Sequence, residues 1–133
     1  MSDRPLEISL LLLRISVFAV MLMWTVDKFI NPGHAAGIFE SFYGIGGVGT
    51  ILVWILGAIE LIVLMAFVAG YARIWTYGFV MVVHGASTLS SFGQYLAPFE
   101  GPNLLFFAAW PMWAACIALF ILRDRDRLLS VDR

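Results

Sequence analysis

The sequence predicts an all-α integral membrane protein, a four-helix bundle with both termini in the cytoplasm and a short interfacial helix in its first outer loop. Three observations predict it. Hydrophobic residues make up 62% of the chain and charged residues 13%, against about 45–50% and about 25% in a soluble domain. The apolar residues fall in four runs, each near the ~20 residues that a bilayer core requires. Lysine and arginine outside those runs sit almost entirely on one side. Arg4, Arg73, Arg123, Arg125, Arg127 and Arg133 fall there, and only Lys28 falls on the other. The positive-inside rule places the arginine-rich side in the cytoplasm. The imbalance also opposes insertion in two opposite orientations.

The first span covers about 8–30. Asn31-Pro32-Gly33 ends it, because proline and glycine punctuate helices. Its N-terminal flank, MSDRPLE, offsets Arg4 with Asp3 and Glu7, and no small-x-small cleavage pattern follows. It therefore reads as a retained helix rather than a signal peptide. The connector that follows contains HAAGIFESFYGI, which puts Ile38, Phe39, Phe42 and Tyr43 near one face at helical spacing. That pattern predicts a short helix lying in the membrane surface.

The second span covers about 50–69 and stops at Gly70, and the third covers about 73–89 and fades into Ser90-Ser91-Phe92-Gly93. The second outer loop, SFGQYLAPFEGPN, predicts a semi-rigid cap. The fourth span covers about 102–122. Pro102 suits its first turn, where a missing N–H matters least. Pro111 falls inside it and predicts a kink. The tail Arg123-Asp124-Arg125-Asp126-Arg127 reads as a solvated cytoplasmic end. The whole chain, residues 1–133, reads as one transmembrane domain in contact with lipid.

Composition excludes several function classes. A net charge of -1 gives no basic face for nucleic acid. A single cysteine, Cys116, excludes an internal disulfide or a CxxC redox pair. No nucleophile elbow, phosphate loop, zinc motif or dinucleotide fingerprint is present.

Three ionisable residues interrupt the apolar runs: Arg14, Glu60 and His84. A charge at mid-membrane costs about 2.5–3.5 kcal/mol on insertion scales, so it seldom faces lipid. Helix rise puts Glu60 and His84 roughly 15 Å deep and Arg14 roughly 9 Å deep. The expectation is that three helices bring an arginine, a carboxylate and an imidazole to one level. An Arg14–Glu60 ion pair would pin two helices in register, with His84 hydrogen-bonded nearby. The same groups could bind a polar head or relay protons. Haem is disfavoured, because the second histidine, His34, lies in the outer loop. No set of close-spaced ligands suggests a metal. Asp27-Lys28 reads as an interfacial stop with a snorkelling lysine. Trp24, Trp54, Tyr71, Trp75 and Tyr95 fall near span ends, as aromatic belts do.

Four stretches carry a family resemblance. They are LLLLRISVFAVMLMWTVDKFINP, the outer segment GIFESFYGIGGVG, GAIELIVLMAFVAGYARIW, and a closing fourth apolar span. With them the chain resembles the DoxX-like family of small four-span membrane proteins over nearly its whole length. The resemblance assigns Arg14, Lys28 and Glu60 to recurring polar positions. It departs at Trp24 and Thr25, where family members often carry a His-Gly pair. It implies residence in the bacterial inner membrane as a multi-pass protein. It also implies association with redox systems, since the family is named for a small subunit of a quinol oxidase or thiosulfate:quinone oxidoreductase.

The resulting expectation is an accessory subunit of a quinone-linked oxidoreductase, with Arg14, Lys28, Glu60 and His84 as the cofactor-binding set and a quinone as the ligand. Any enzymatic activity would belong to that complex. Its partners would be larger membrane subunits or copies of itself. Two alternatives stand beside it: a purely structural assembly subunit, and a small proton-coupled transporter.

Overall fold

A computed structural model of the chain describes residues 3–44, 46, 47 and 49–132, with Phe39, Phe42 and Tyr43 described by backbone alone. Its elements are α1 (Arg4–Ile30), α2 (Pro32–Tyr43), α3 (Thr50–Val68), α4 (Arg73–Ser90), α5 (Phe92–Leu96), a 3₁₀ helix (Asn103–Ala108), α6 (Ala109–Ile121) and a 3₁₀ turn (Arg123–Arg125). No strand occurs among the described residues.

Three helical segments are long and apolar enough to cross a membrane: Arg4–Ile30, Thr50–Val68 and Asn103–Ile121. α4 is 18 residues long and is not one of them, because Arg73, Thr76, His84, Ser87, Thr88 and Ser90 dilute its apolar content. α1 packs on α3 and α4 on α6, and contacts between α1 and α6 and between α3 and α4 complete the arrangement.

The helix boundaries follow local chemistry. α1 begins with Pro5 in its first turn and Glu7 close behind, a placement that suits the positive end of the helix dipole. Asn31 closes α1 by donating its backbone N–H to the Asp27 carbonyl at 2.7 Å, and Pro32 opens α2. A short helix, α2, is present where the surface helix was expected. Its proposed aromatic face lies outside the described side chains for Phe39, Phe42 and Tyr43. Pro111 lies inside the helical segment Asn103–Ile121, in the first turn of α6 and just after the change from 3₁₀ to α geometry. Pro102 stands just before that 3₁₀ helix.

Buried residues of α1 recur as Leu10, Arg14, Val17, Met21 and Thr25, a stripe at helical spacing. With Leu64, Phe67, Tyr77, Val80, Cys116 and Leu119 it forms the core. The outer surface is apolar, with Leu12, Met23, Ile51, Ile62, Val82 and Ile121 among its exposed side chains. A surface so rich in exposed apolar groups suits lipid contact.

The two ends of the bundle differ. One end gathers the start of α1, the α3–α4 turn and the chain after α6, and is called here the tail end. The other gathers α2, α5 and the 3₁₀ helix, and is called the α2 end. At the tail end the chain folds back over the helices. Val131 N–H donates to the Ala69 carbonyl at 2.7 Å and Asp132 N–H to the Gly70 carbonyl at 3.2 Å. Gly70 has φ +70°, and a Cβ there would stand 2.1 Å from Ser130 Oγ. Glycine therefore lets α3 stop in a left-handed turn and lets the tail lie against it. Ala72, at φ 49°, donates its N–H to Asp132 Oδ2 at 2.7 Å.

Candidate functional site

The expected meeting of Arg14, Glu60 and His84 does not occur. Arg14 Nη1 lies 3.0 Å from Asp126 Oδ1, with the two side chains 1% and 0% exposed. Its Nη2 donates to the carbonyls of Leu128 at 2.5 Å and Leu129 at 3.0 Å, and Nη1 donates to the Tyr77 hydroxyl at 3.4 Å. Tyr77 in turn donates to Asp126 Oδ2 at 2.5 Å. Arg14 Nε and Asp126 Oδ1 have no aligned hydrogen-bond partner among the described residues, so Coulomb attraction dominates this pair. The physical reason for the correction is direction. Side chains on a helix lean toward its N-terminus. On α1 that carries the guanidinium to the tail end, and on the antiparallel α3 it carries Glu60 the other way.

Glu60 instead pairs with Lys28 at 3.2 Å, the side chains 12% and 16% exposed. Lys28 is thus an ion-pair partner rather than a snorkelling stop. Gly57, one turn before Glu60, makes this contact feasible. A Cβ there would meet Phe29 Cζ at 3.1 Å and Lys28 Cβ at 3.4 Å, so only a bare backbone lets α1 and α3 come this close. Thr25, fully buried, sits with its hydroxyl 2.9 Å from Glu60 Oε1 and 2.8 Å from the Met21 carbonyl. One hydroxyl proton serves one acceptor at a time. An ionised Glu60 receives it. A protonated Glu60 can donate to Thr25 while Thr25 turns to Met21. The site therefore satisfies both forms of the carboxyl.

His84 lies with Nε2 3.3 Å from the Ala109 carbonyl. A carbonyl only accepts, so Nε2 carries the hydrogen and Nδ1 is the acceptor nitrogen of the neutral ring. At the α2 end, His34 Nδ1 lies 2.6 Å from Asp27 Oδ2, the side chains 46% and 30% exposed. Trp24 stacks on the His34 ring with centroids 5.9 Å apart and planes 24° apart.

These groups share one cavity of about 850 Å³ between α1, α2, α3, α4, α6 and the 3₁₀ helix. Lys28, Glu60, His84, Asp27 and His34 all line it, and Met21, Trp24, Phe106 and Met112 are among its apolar walls. Three of the four residues expected from the sequence therefore meet around a common space, and Arg14 does not. The cavity falls in the roughly 300–1,000 Å³ range of small-molecule sites, which typically pair apolar walls with a few convergent polar groups. Among the described residues no cluster of three or more histidine, cysteine or carboxylate side chains could hold a metal.

Sequence reasoning missed Asp126, Tyr77, Thr25 and the Asp27–His34 pair as site residues. Asp126 sits in an alternating arginine–aspartate run that carries no sign of burial. The i, i+7 spacing of Asp27 and His34 across Asn31-Pro32 was a usable signal, since a turn between two helices can bring such residues together.

No family model matches the chain, and neither a curated protein nor a solved structure matches it.

Proposed function

We propose that this protein is a four-span subunit of the bacterial inner membrane that holds a quinone-type head in the cavity between α1, α4 and α6, as an accessory part of a quinone-linked redox assembly. The observation that carries the reading is that Lys28, Glu60 and His84 line one apolar-walled cavity. An aromatic ring with oxygens at its edge needs apolar walls and a small number of hydrogen-bonding groups. Lys28 supplies a donor, the neutral His84 ring supplies an acceptor at Nδ1, and Glu60 supplies either as its protonation changes. The rim residues Val20, Trp24 and Leu105 are exposed apolar side chains, which suits a ligand arriving sideways from lipid. The likeness to DoxX-like proteins supports the redox assignment.

Membrane topology follows the same reading. α4 lies beside α3 and α6, so it shares their depth and makes the fourth span. Arg4, Arg73, Arg123, Arg125 and Arg127 gather at the tail end, which favours a cytoplasmic position for it.

The test is binding. Protein purified gently with a tag is extracted for quinone, and added quinone is titrated by quenching of tryptophan fluorescence. Wild-type protein is expected to carry or bind quinone, and Glu60→Gln to remain folded with binding lost. Wild-type protein that neither carries nor binds quinone overturns the reading.

A structural role in a larger complex is the second reading. It is favoured by the fact that the half-buried Glu60 and the buried Asp126 already have a basic partner in the chain. It predicts that Lys28→Met with Glu60→Gln preserves assembly and function. A proton-coupled transporter is less well supported, because the tail end is closed by buried contacts.

A further inference from the structure

The two ends of the bundle differ in what lies between the cavity and water. Charged and titratable groups face the cavity from four elements: Asp27 and Lys28 from α1, His34 from α2, Glu60 from α3 and His84 from α4. The 3₁₀ helix and α6 contribute none of its lining charges. At the α2 end, Asp27 and His34 are part-exposed and held at 2.6 Å. They line the same cavity as the Lys28–Glu60 pair. Toward the tail end the cavity stops at Leu13, Val17 and Ala115. Below it lie Leu10, Leu64, Phe67 and Leu119, each no more than 1% exposed. Below those lie Arg14, Tyr77 and Asp126, also buried, under the folded-back tail.

From this asymmetry we infer that the cavity is a one-sided proton well: protons reach Glu60 from the α2 face, by way of Asp27 and His34, and do not reach it from the face that carries the tail. The step balances without another reactant. A hydronium ion at the α2 face gives its proton to the Asp27–His34 pair and leaves as water, and water entering the cavity relays the proton from that pair to the Glu60 carboxylate. Glu60 then donates to Thr25 Oγ1, and Thr25 turns its own hydrogen to the Met21 carbonyl. Lys28 keeps its ammonium beside Glu60 Oε2 at 3.2 Å, an oxygen that still accepts from it when the proton sits on Oε1. Return of the proton reverses the same path. The inference deepens the proposed ligand site by stating which side exchanges protons with it, yet it concerns the unliganded bundle and needs no quinone.

The experiment uses full-length protein in liposomes of defined orientation, with the carboxylic-acid infrared band of Glu60 identified by its loss in Glu60→Gln. Acidifying the α2-side bath is expected to raise that band. Acidifying the tail-side bath is expected to leave it unchanged. Asp27→Asn with His34→Gln is expected to slow the response several-fold. A band that follows the tail-side bath, that follows both baths alike, or that never appears overturns the inference, and an unchanged rate in the double variant removes Asp27 and His34 from the path. A second measurement is independent of the band. Ser16 lines the cavity, and Ser16→Cys in a Cys116→Ala background is expected to react with a membrane-impermeant thiol reagent from the α2 side only. Reaction from the tail side, or from neither, overturns it. Failure of quinone binding leaves both readouts intact, so the two ideas fail separately.

Discussion

Replacing Asp126 with asparagine should cost this small bundle a large share of its stability. The substitution keeps the shape of the side chain and removes its charge, leaving the Arg14 guanidinium buried with only neutral acceptors around it: the amide oxygen at 126, the Leu128 and Leu129 carbonyls and the Tyr77 hydroxyl. Two charges 3.0 Å apart attract by about 5 kcal/mol at an effective dielectric of about 20. Removing one partner of a buried ion pair typically costs about 3–5 kcal/mol. Exposures of 1% and 0% leave little solvent screening to reduce that figure, so a loss of about 3–4 kcal/mol is expected. Arg14→Met with Asp126→Leu should lose less than Asp126→Asn alone, because no charge remains buried. It strands the Leu128 and Leu129 carbonyls and the buried Tyr77 hydroxyl, neutral groups whose loss of partners costs less than a buried unpaired charge. Reversible unfolding in mixed micelles, followed by far-ultraviolet circular dichroism, measures both. A loss below about 1 kcal/mol for Asp126→Asn, or a double variant worse than the sum of its singles, would refute the idea that the tail neutralises Arg14.

Other substitutions probe the remaining contacts. Thr25→Val keeps the volume but removes the hydroxyl beside Glu60, and should cost about 1 kcal/mol in the same unfolding assay. Gly70→Ala should cost about 1–2 kcal/mol for the left-handed backbone alone. It should also push Ser130 away, which faster tryptic cleavage at Arg125 and Arg127 would report. Asp3→Asn, by contrast, removes an ion pair to Arg125 whose side chains are 48% and 52% exposed, and should change stability by no more than about 0.5 kcal/mol.

Much of the architecture was legible from hydropathy. The helices expected at about 50–69 and 73–89 occur as Thr50–Val68 and Arg73–Ser90, because glycine and serine mark their ends plainly, and of the two only Thr50–Val68 is apolar enough to cross a membrane. The surface helix was legible from its spacing. The fourth helical segment, expected at about 102–122, occurs as Asn103–Ile121, and its 3₁₀ start was not legible, since nothing in the sequence told a 3₁₀ start from an α-helical one. Of the site, Glu60 and His84 were expected at one level of the bundle, and they line one cavity. Pairing was not readable. Depth along a helix axis says nothing about the direction in which a long side chain leans, and that direction sent Arg14 to Asp126 and Glu60 to Lys28. The burial of Asp126 was invisible because charge alternation around it looks the same whether the segment is solvated or folded back.

The distance in sequence between Arg14 and Asp126 has a consequence for how the protein is made. The first helix enters the bilayer carrying a guanidinium whose counter-charge is still to be translated. During synthesis that arginine must be tolerated by the insertion machinery or by lipid phosphates, and the bundle locks only after the ribosome has delivered Asp126. A product cut short before that residue has helices of normal hydropathy with one orphaned cation among them. Such a product is a natural mark for membrane quality-control proteases, which would make the Asp126 segment a check on assembly.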